Sequence, residues 1–147
     1  MKLTEHFTLE EMTASGLAAR RGLDNTPPPS VVQNLHALAE KMEEARRVLG
    51  HPVLVTSGFR SLAVNRVLGS KDTSAHVQGL AADFICPSFG SPLEVAEELA
   101  ANGVKFDQLI NEFGQWVHLG MKAAYSDWRG ELLTIDRTGA RVGLHRV

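Results

Sequence analysis

The run from Ser30 to Gly50 constrains the fold of this chain more than any other stretch. Val31, Leu35, Leu38, Met42, Ala45 and Leu49 recur at spacings of three and four, which lines them along one face of a helix. Glu40, Glu43, Glu44 and Arg47 fall on the other faces, and Gly50 supplies a stop. A helix with one apolar stripe must cover something. The segments after it do not share its period. Pro52-Val-Leu-Val-Thr-Ser, Leu80-Ala-Ala-Asp-Phe-Ile-Cys, Phe106 to Phe113, Gln115 to Gly120 and Glu131 to Asp136 are short runs rich in apolar and β-branched residues, the mark of strands. Helices gather early and strands late. That order predicts an α+β fold, with a small, mainly antiparallel sheet flanked by N-terminal helices, rather than a doubly wound parallel sheet.

Shorter signals fill in the rest. Thr8 with Glu11 three residues on reads as a capping box, and a second short helix through Leu17-Ala-Ala-Arg-Arg ends at Gly22. Asp24-Asn-Thr-Pro-Pro-Pro is a rigid connector. Ser61 to Leu68 is predicted helical, and Gly69 to Ser74 a loop of turn formers. Ser91-Pro-Leu-Glu opens another helix with a second capping box, and the residues around Gly114 read as a hairpin. There is no internal repeat. At 147 residues the chain is expected to form one domain, 1–147, since two halves would each be too small for a good core.

Composition narrows the chemistry. Fifteen Lys and Arg stand against seventeen Asp and Glu, a net charge of -2, which argues against a nucleic-acid partner held by a basic face. The single cysteine, Cys86, cannot form an internal disulfide or a cysteine-rich zinc site. A bound metal would need His with Asp or Glu. The start lacks the apolar run of a secretory signal, and no stretch approaches the ~20 apolar residues that cross a bilayer. No membrane association is expected. The expected location is the cytoplasm until release, or the periplasm if the chain is processed.

His76, Asp83 and His118 stand out together. His76 ends a polar loop, Asp83 interrupts the apolar strand Ala81-Ala-Asp-Phe-Ile, and His118 sits between Val117 and Leu119. A carboxylate in an apolar run is costly to bury unless it is paired or bound to a metal. Singly, each has an ordinary structural reading.

Jointly they carry a resemblance. Ser74-Ala-His76-Val-Gln-Gly79-Leu-Ala81-Ala-Asp83 reads S-x-H-x-x-G-x-A-x-D, followed by Trp116-Val-His118 and preceded by Ser57-Gly-Phe-Arg60-Ser. This resembles the signature of the zinc D-alanyl-D-alanine carboxypeptidases and their relatives, which share the hedgehog/DD-peptidase fold. The run from Phe7 through Asp24-Asn-Thr-Pro-Pro is similar to the phage and prophage branch. The resemblance implies one Zn²⁺ held by His76, Asp83 and His118. It implies a metallopeptidase acting on peptidoglycan stem peptides, as carboxypeptidase or endopeptidase. A catalytic zinc takes three protein ligands and keeps a fourth position open, and two imidazoles favour zinc over magnesium or calcium.

Such an enzyme needs a general base. Many relatives carry an acid three residues before the last ligand, where this chain has Gln115, and an amide cannot serve. Glu112, six residues before His118 and across the expected hairpin, is the candidate base; the hedgehog-like branch is similar in that spacing. Arg60 is the candidate for steadying a substrate carbonyl or carboxylate. Ser74 either contacts substrate or only caps its loop. Asp72, Asp107 and Gln108 are candidates for orienting a ligand histidine. The competing reading is a zinc-binding cell-wall or phage structural module with little hydrolysis, which Gln115 keeps open. A monomer is the expected state.

Overall fold

A computed structural model describes residues 1–147. Helix α1 spans Leu9–Thr13 and α2 spans Gly16–Arg21. The Thr8–Glu11 capping box forms as the sequence predicts, and Gly22 closes α2 in the left-handed conformation at φ +64°. The long helix α3 spans Pro29–Leu49, one residue earlier than Ser30, because proline suits the first helical turn. Strand β1 (Leu54–Ser57), helix α4 (Leu62–Val67) and strand β2 (Ala81–Ile85) follow, then α5 (Pro92–Ala101) with its Ser91–Glu94 capping box. Strands β3 (Gln108–Glu112), β4 (Trp116–Gly120), β5 (Glu131–Asp136) and β6 (Gly139–Val142) complete the chain. The architecture is α+β, as expected.

The six strands form one sheet in the order β1-β2-β4-β3-β5-β6. All neighbours are antiparallel except β3 and β5. Two features depart from expectation. Residues 121–130 carry the chain across β3, so that β5 pairs parallel to it, and the tail adds the exposed edge strand β6.

Side-chain alternation divides the sheet into two faces. Ala82 and Phe84, Val117 and Leu119, and Leu109 turn one way and join Leu35, Leu38, Met42, Val95 and Leu99 in the core. Helices α3 and α5 cover this face. Asp83, His118, Ile110, Glu112 and Trp116 turn the other way. No helix is long and apolar enough to cross a membrane.

Candidate metal centre

His118 and Asp83 are direct cross-strand partners on β4 and β2. Their shared face brings His118 Nδ1 to 3.0 Å from Asp83 Oδ1. His76 comes from a different element. Where the sequence suggests the end of a loop, the chain makes a 3-10 turn over Ala75–Gln78, whose first turn Ser74 caps by accepting from the His76 backbone N–H. Gly79 ends it at φ +70° and lies against α3, where a Cβ would come within 2.8 Å of Val31 Cγ1. The close approach holds the turn down on the helix and points His76 Nε2 to 3.3 Å from the same Asp83 oxygen.

The donor set suits zinc. Donor atoms of His76, Asp83 and His118 all lie within 4.8 Å of one another. Ligands about 2.0–2.1 Å from a tetrahedral zinc lie about 3.3–3.4 Å apart, close to the 3.0 and 3.3 Å observed. The His76 ring is oriented by the backbone: Nδ1–H donates to the Gly58 carbonyl at 2.7 Å, which leaves the Nε2 lone pair for a metal. Gly58 can present that carbonyl because it packs directly on α1. A Cβ there would lie 2.3 Å from the Met12 carbonyl oxygen.

Electrostatics prepares the same groups. Burial lowers the pKa of His76, which favours the neutral ligand form. Burial by itself would raise that of Asp83, but the hydrogen bond from His118 leads the effects that outweigh it and hold the carboxyl well below its usual range. Both residues are nearly inaccessible, at 3% and 4% exposure.

A family described as Peptidase M15 matches residues 5–120. The chain belongs to the Peptidase M15 family. No curated protein matches it. M15 members are zinc peptidases, and the three grouped donors are the residues in this M15 chain that could hold the metal.

The remaining predicted residues lie around this M15 centre. Glu112 faces it, with Oε1 3.8 Å from His118 Nδ1. Burial and then the Asp83 charge push its pKa up. Gln115 sits exposed in the hairpin turn. Arg60 donates from Nη2 to Asp83 Oδ2 at 3.2 Å and from Nε to Ser57 Oγ at 3.1 Å. Ser74 caps the His76 turn and also lines the cleft.

Asp72, Asp107 and Gln108 do not hydrogen-bond to either histidine. Asp72 pairs with Arg66, Asp107 with Arg129, and Gln108 with Glu131. The partner that orients His76 is a main-chain carbonyl, which residue type does not reveal. Asn25 was also hidden inside its connector. It donates to the Thr13 and Phe59 carbonyls and accepts from the Ser61 N–H, pinning the turn that carries Gly58 and Arg60.

A cleft of about 440 Å³ passes Arg60, His76, Asp83, Glu112, Trp116 and His118. A second hollow of about 520 Å³ shares Ser74, Gln108 and His118 with it and continues past Leu80, Lys122 and Arg129. The largest hollow, about 750 Å³ between the start of α5 and the C-terminal residues, contains none of the three metal-binding candidates. Size does not select the site here; donor chemistry does.

Proposed function

We propose that this chain is a zinc metallopeptidase that hydrolyses peptide bonds in peptidoglycan stem peptides, in the endopeptidase mode. The observation that carries the reading is Glu112 beside His118, on the same sheet face as the His76–Asp83–His118 group. The metal-binding residues then have a carboxylate next to them that can move a proton. The two hollows that meet at His118 favour the endopeptidase mode, because a substrate chain can extend away from the centre on both sides.

His76, Asp83 and His118 would hold the ion. When bound, zinc supplies a positive centre that acidifies water and polarises a carbonyl. The chain's own groups do the rest. Glu112 accepts the proton of the attacking water and returns it to the leaving nitrogen. Arg60 balances the Asp83 charge and lines the cleft, where its remaining N–H donors can meet a substrate oxygen. Gln115 in place of an acid does not deprive the site of a base, because the hairpin already carries Glu112 onto the strand beside His118.

The test is a digest of muropeptides from purified peptidoglycan, read by mass spectrometry. Cleavage with about one zinc per chain is the expected result, and the product masses name the bond. Glu112→Gln should retain zinc and lose roughly 10²–10⁴ in kcat. Full activity in that variant would remove Glu112 from the mechanism. Zinc without cleavage in the wild type would point to a wall-binding module instead.

A further inference from the structure

Phe113 is the one non-glycine residue in the chain with positive φ, at +57°. It is followed by Gly114 at +65°, and the Gln115 N–H bonds back to the Glu112 carbonyl at 3.0 Å. Two successive positive φ values closed in this way are the pattern of a type I′ turn. The first central position of such a turn favours Asn, Asp or Gly, whose backbones enter the left-handed region readily. Phenylalanine gains nothing from that conformation, since its Cβ crowds the adjacent carbonyl.

The core does not explain the choice. Phe113 is 41% exposed and stands outside the core cluster, and its ring lies beside Trp116, with centroids 5.7 Å apart. It does line the cleft, together with Trp116, Ile110 and Leu68, at the end where Glu112 stands. A large apolar side chain is therefore held in an unfavourable backbone conformation, partly in water, at the mouth of the candidate site. Strain of this kind persists where the surrounding structure enforces it, and it concentrates at functional sites. Here the enforcing contact is the Phe113 N–H, which donates to the Ile135 carbonyl of β5 at 2.7 Å.

We propose that Phe113 is a substrate-binding residue. With Trp116 it forms an apolar lip that receives a small aliphatic side chain of the peptide on the Glu112 side of the scissile bond, and the turn gives up stability to hold it there. This rests on the peptidase reading and names the chemistry of one of its subsites. The second hollow, on the other side of His118, mixes Lys122, Asp127 and Arg129 with Leu80 and Met121 and has no aromatic residue in its lining.

Phe113→Asn separates strain from binding. Asparagine relieves the turn and removes the ring, so Tm should rise by about 3 °C. Hydrolysis of the same muropeptides should show KM raised roughly 10-fold, with a smaller effect on kcat. Phe113→Tyr keeps the ring and the strain, and should recover most of the lost affinity without the gain in Tm. Three results overturn the proposal while leaving the peptidase reading intact. One is a more stable Asn variant that cleaves as the wild type does. Another is an Asn variant with no gain in Tm. The third is a fall in kcat at constant KM, which would mean that Phe113 acts only by placing Glu112. A wild type that cleaves nothing refutes the peptidase reading itself and takes the proposal with it.

Discussion

Gly120 should be the residue at which metal affinity and stability come apart. It closes β4 two positions after His118, on the same face, and its φ is not in the left-handed region, so its backbone accepts any residue. What excludes a side chain is the ring of His118. A Cβ at position 120 would lie 3.3 Å from His118 Nε2 and 3.9 Å from the Gln108 Cβ. The first distance is tight enough to displace the ring by a few tenths of an ångström. Moving the ring changes the position of Nδ1 against Asp83 Oδ1, now 3.0 Å distant.

In Gly120→Ala, zinc affinity should therefore fall by roughly 10–100-fold, the usual scale when a group that orients a ligand is disturbed. That is about 1.4–2.7 kcal/mol. Stability of the metal-free protein should hold or rise, since glycine inside a strand costs roughly 0.5–1 kcal/mol relative to alanine. The assay is competition for zinc against a chromophoric chelator, paired with thermal melts of the metal-free protein. A zinc Kd within twofold of the wild type would show that Gly120 does not seat the ring. A fall in Tm matching the loss of affinity would mean the methyl disturbs the strand rather than the ligand.

Two further substitutions probe the supports of the site. Gly58→Ala places a Cβ 2.3 Å from the Met12 carbonyl oxygen, a backbone contact that no side-chain rotation relieves. It should lose about 2–4 kcal/mol in urea unfolding, and weaken zinc binding as well, because the Gly58 carbonyl orients His76. Unchanged stability would mean that α1 can lift away freely. Asp107 accepts from the Arg129 N–H, Nε and Nη2 at 2.9–3.0 Å and ties the loop before β5 to the start of β3. Asp107→Asn should cost about 1–2 kcal/mol at pH 7, the Arg129 side being half exposed and screened. Burial alone would raise the Asp107 pKa, but the Arg129 bonds outweigh it and hold it low. Its contribution is therefore complete above the unfolded carboxyl value of ~3.9 and fades as pH falls through the lower folded one. The stability gap between wild type and variant should close in acid, and a gap that stays constant down to pH 3 would refute the assignment.

The sequence was legible where its signals were local. The capping boxes at Thr8 and Ser91, the glycine stops at Gly22 and Gly50, and the α3 stripe each depend on a few neighbouring residues, and all of them form. The hairpin at Gly114 was legible for the same reason, and with it the nearness of Glu112 to His118. What stayed hidden depends on contacts between distant segments. The parallel pairing of β5 with β3 follows from the path of residues 121–130 over the sheet, which no local period encodes. Gly58 looks like an ordinary turn glycine until Met12 is packed against it. Phe113 looks like the end of an apolar strand, and only the closed turn shows that its backbone is left-handed.

The two faces of the sheet explain how the site keeps its geometry. Asp83 lies between Ala82 and Phe84, and His118 between Val117 and Leu119; all four neighbours are fully buried on the core side. Glu112 follows Leu109 and Asn111, which are buried there too. A one-residue slip of β2 or β4 would turn Asp83 or His118 into that core and bring two apolar residues out, so the hydrophobic pattern fixes the register. Fixing the register also fixes the donor spacing. In this fold the packing against α3 and α5, on one side of the sheet, is what preorganises the metal-binding groups on the other. The side chains at the site are thereby relieved of holding the fold together. The outward-facing positions, Glu112 and Trp116 among them, can then serve chemistry while the alternate positions carry stability.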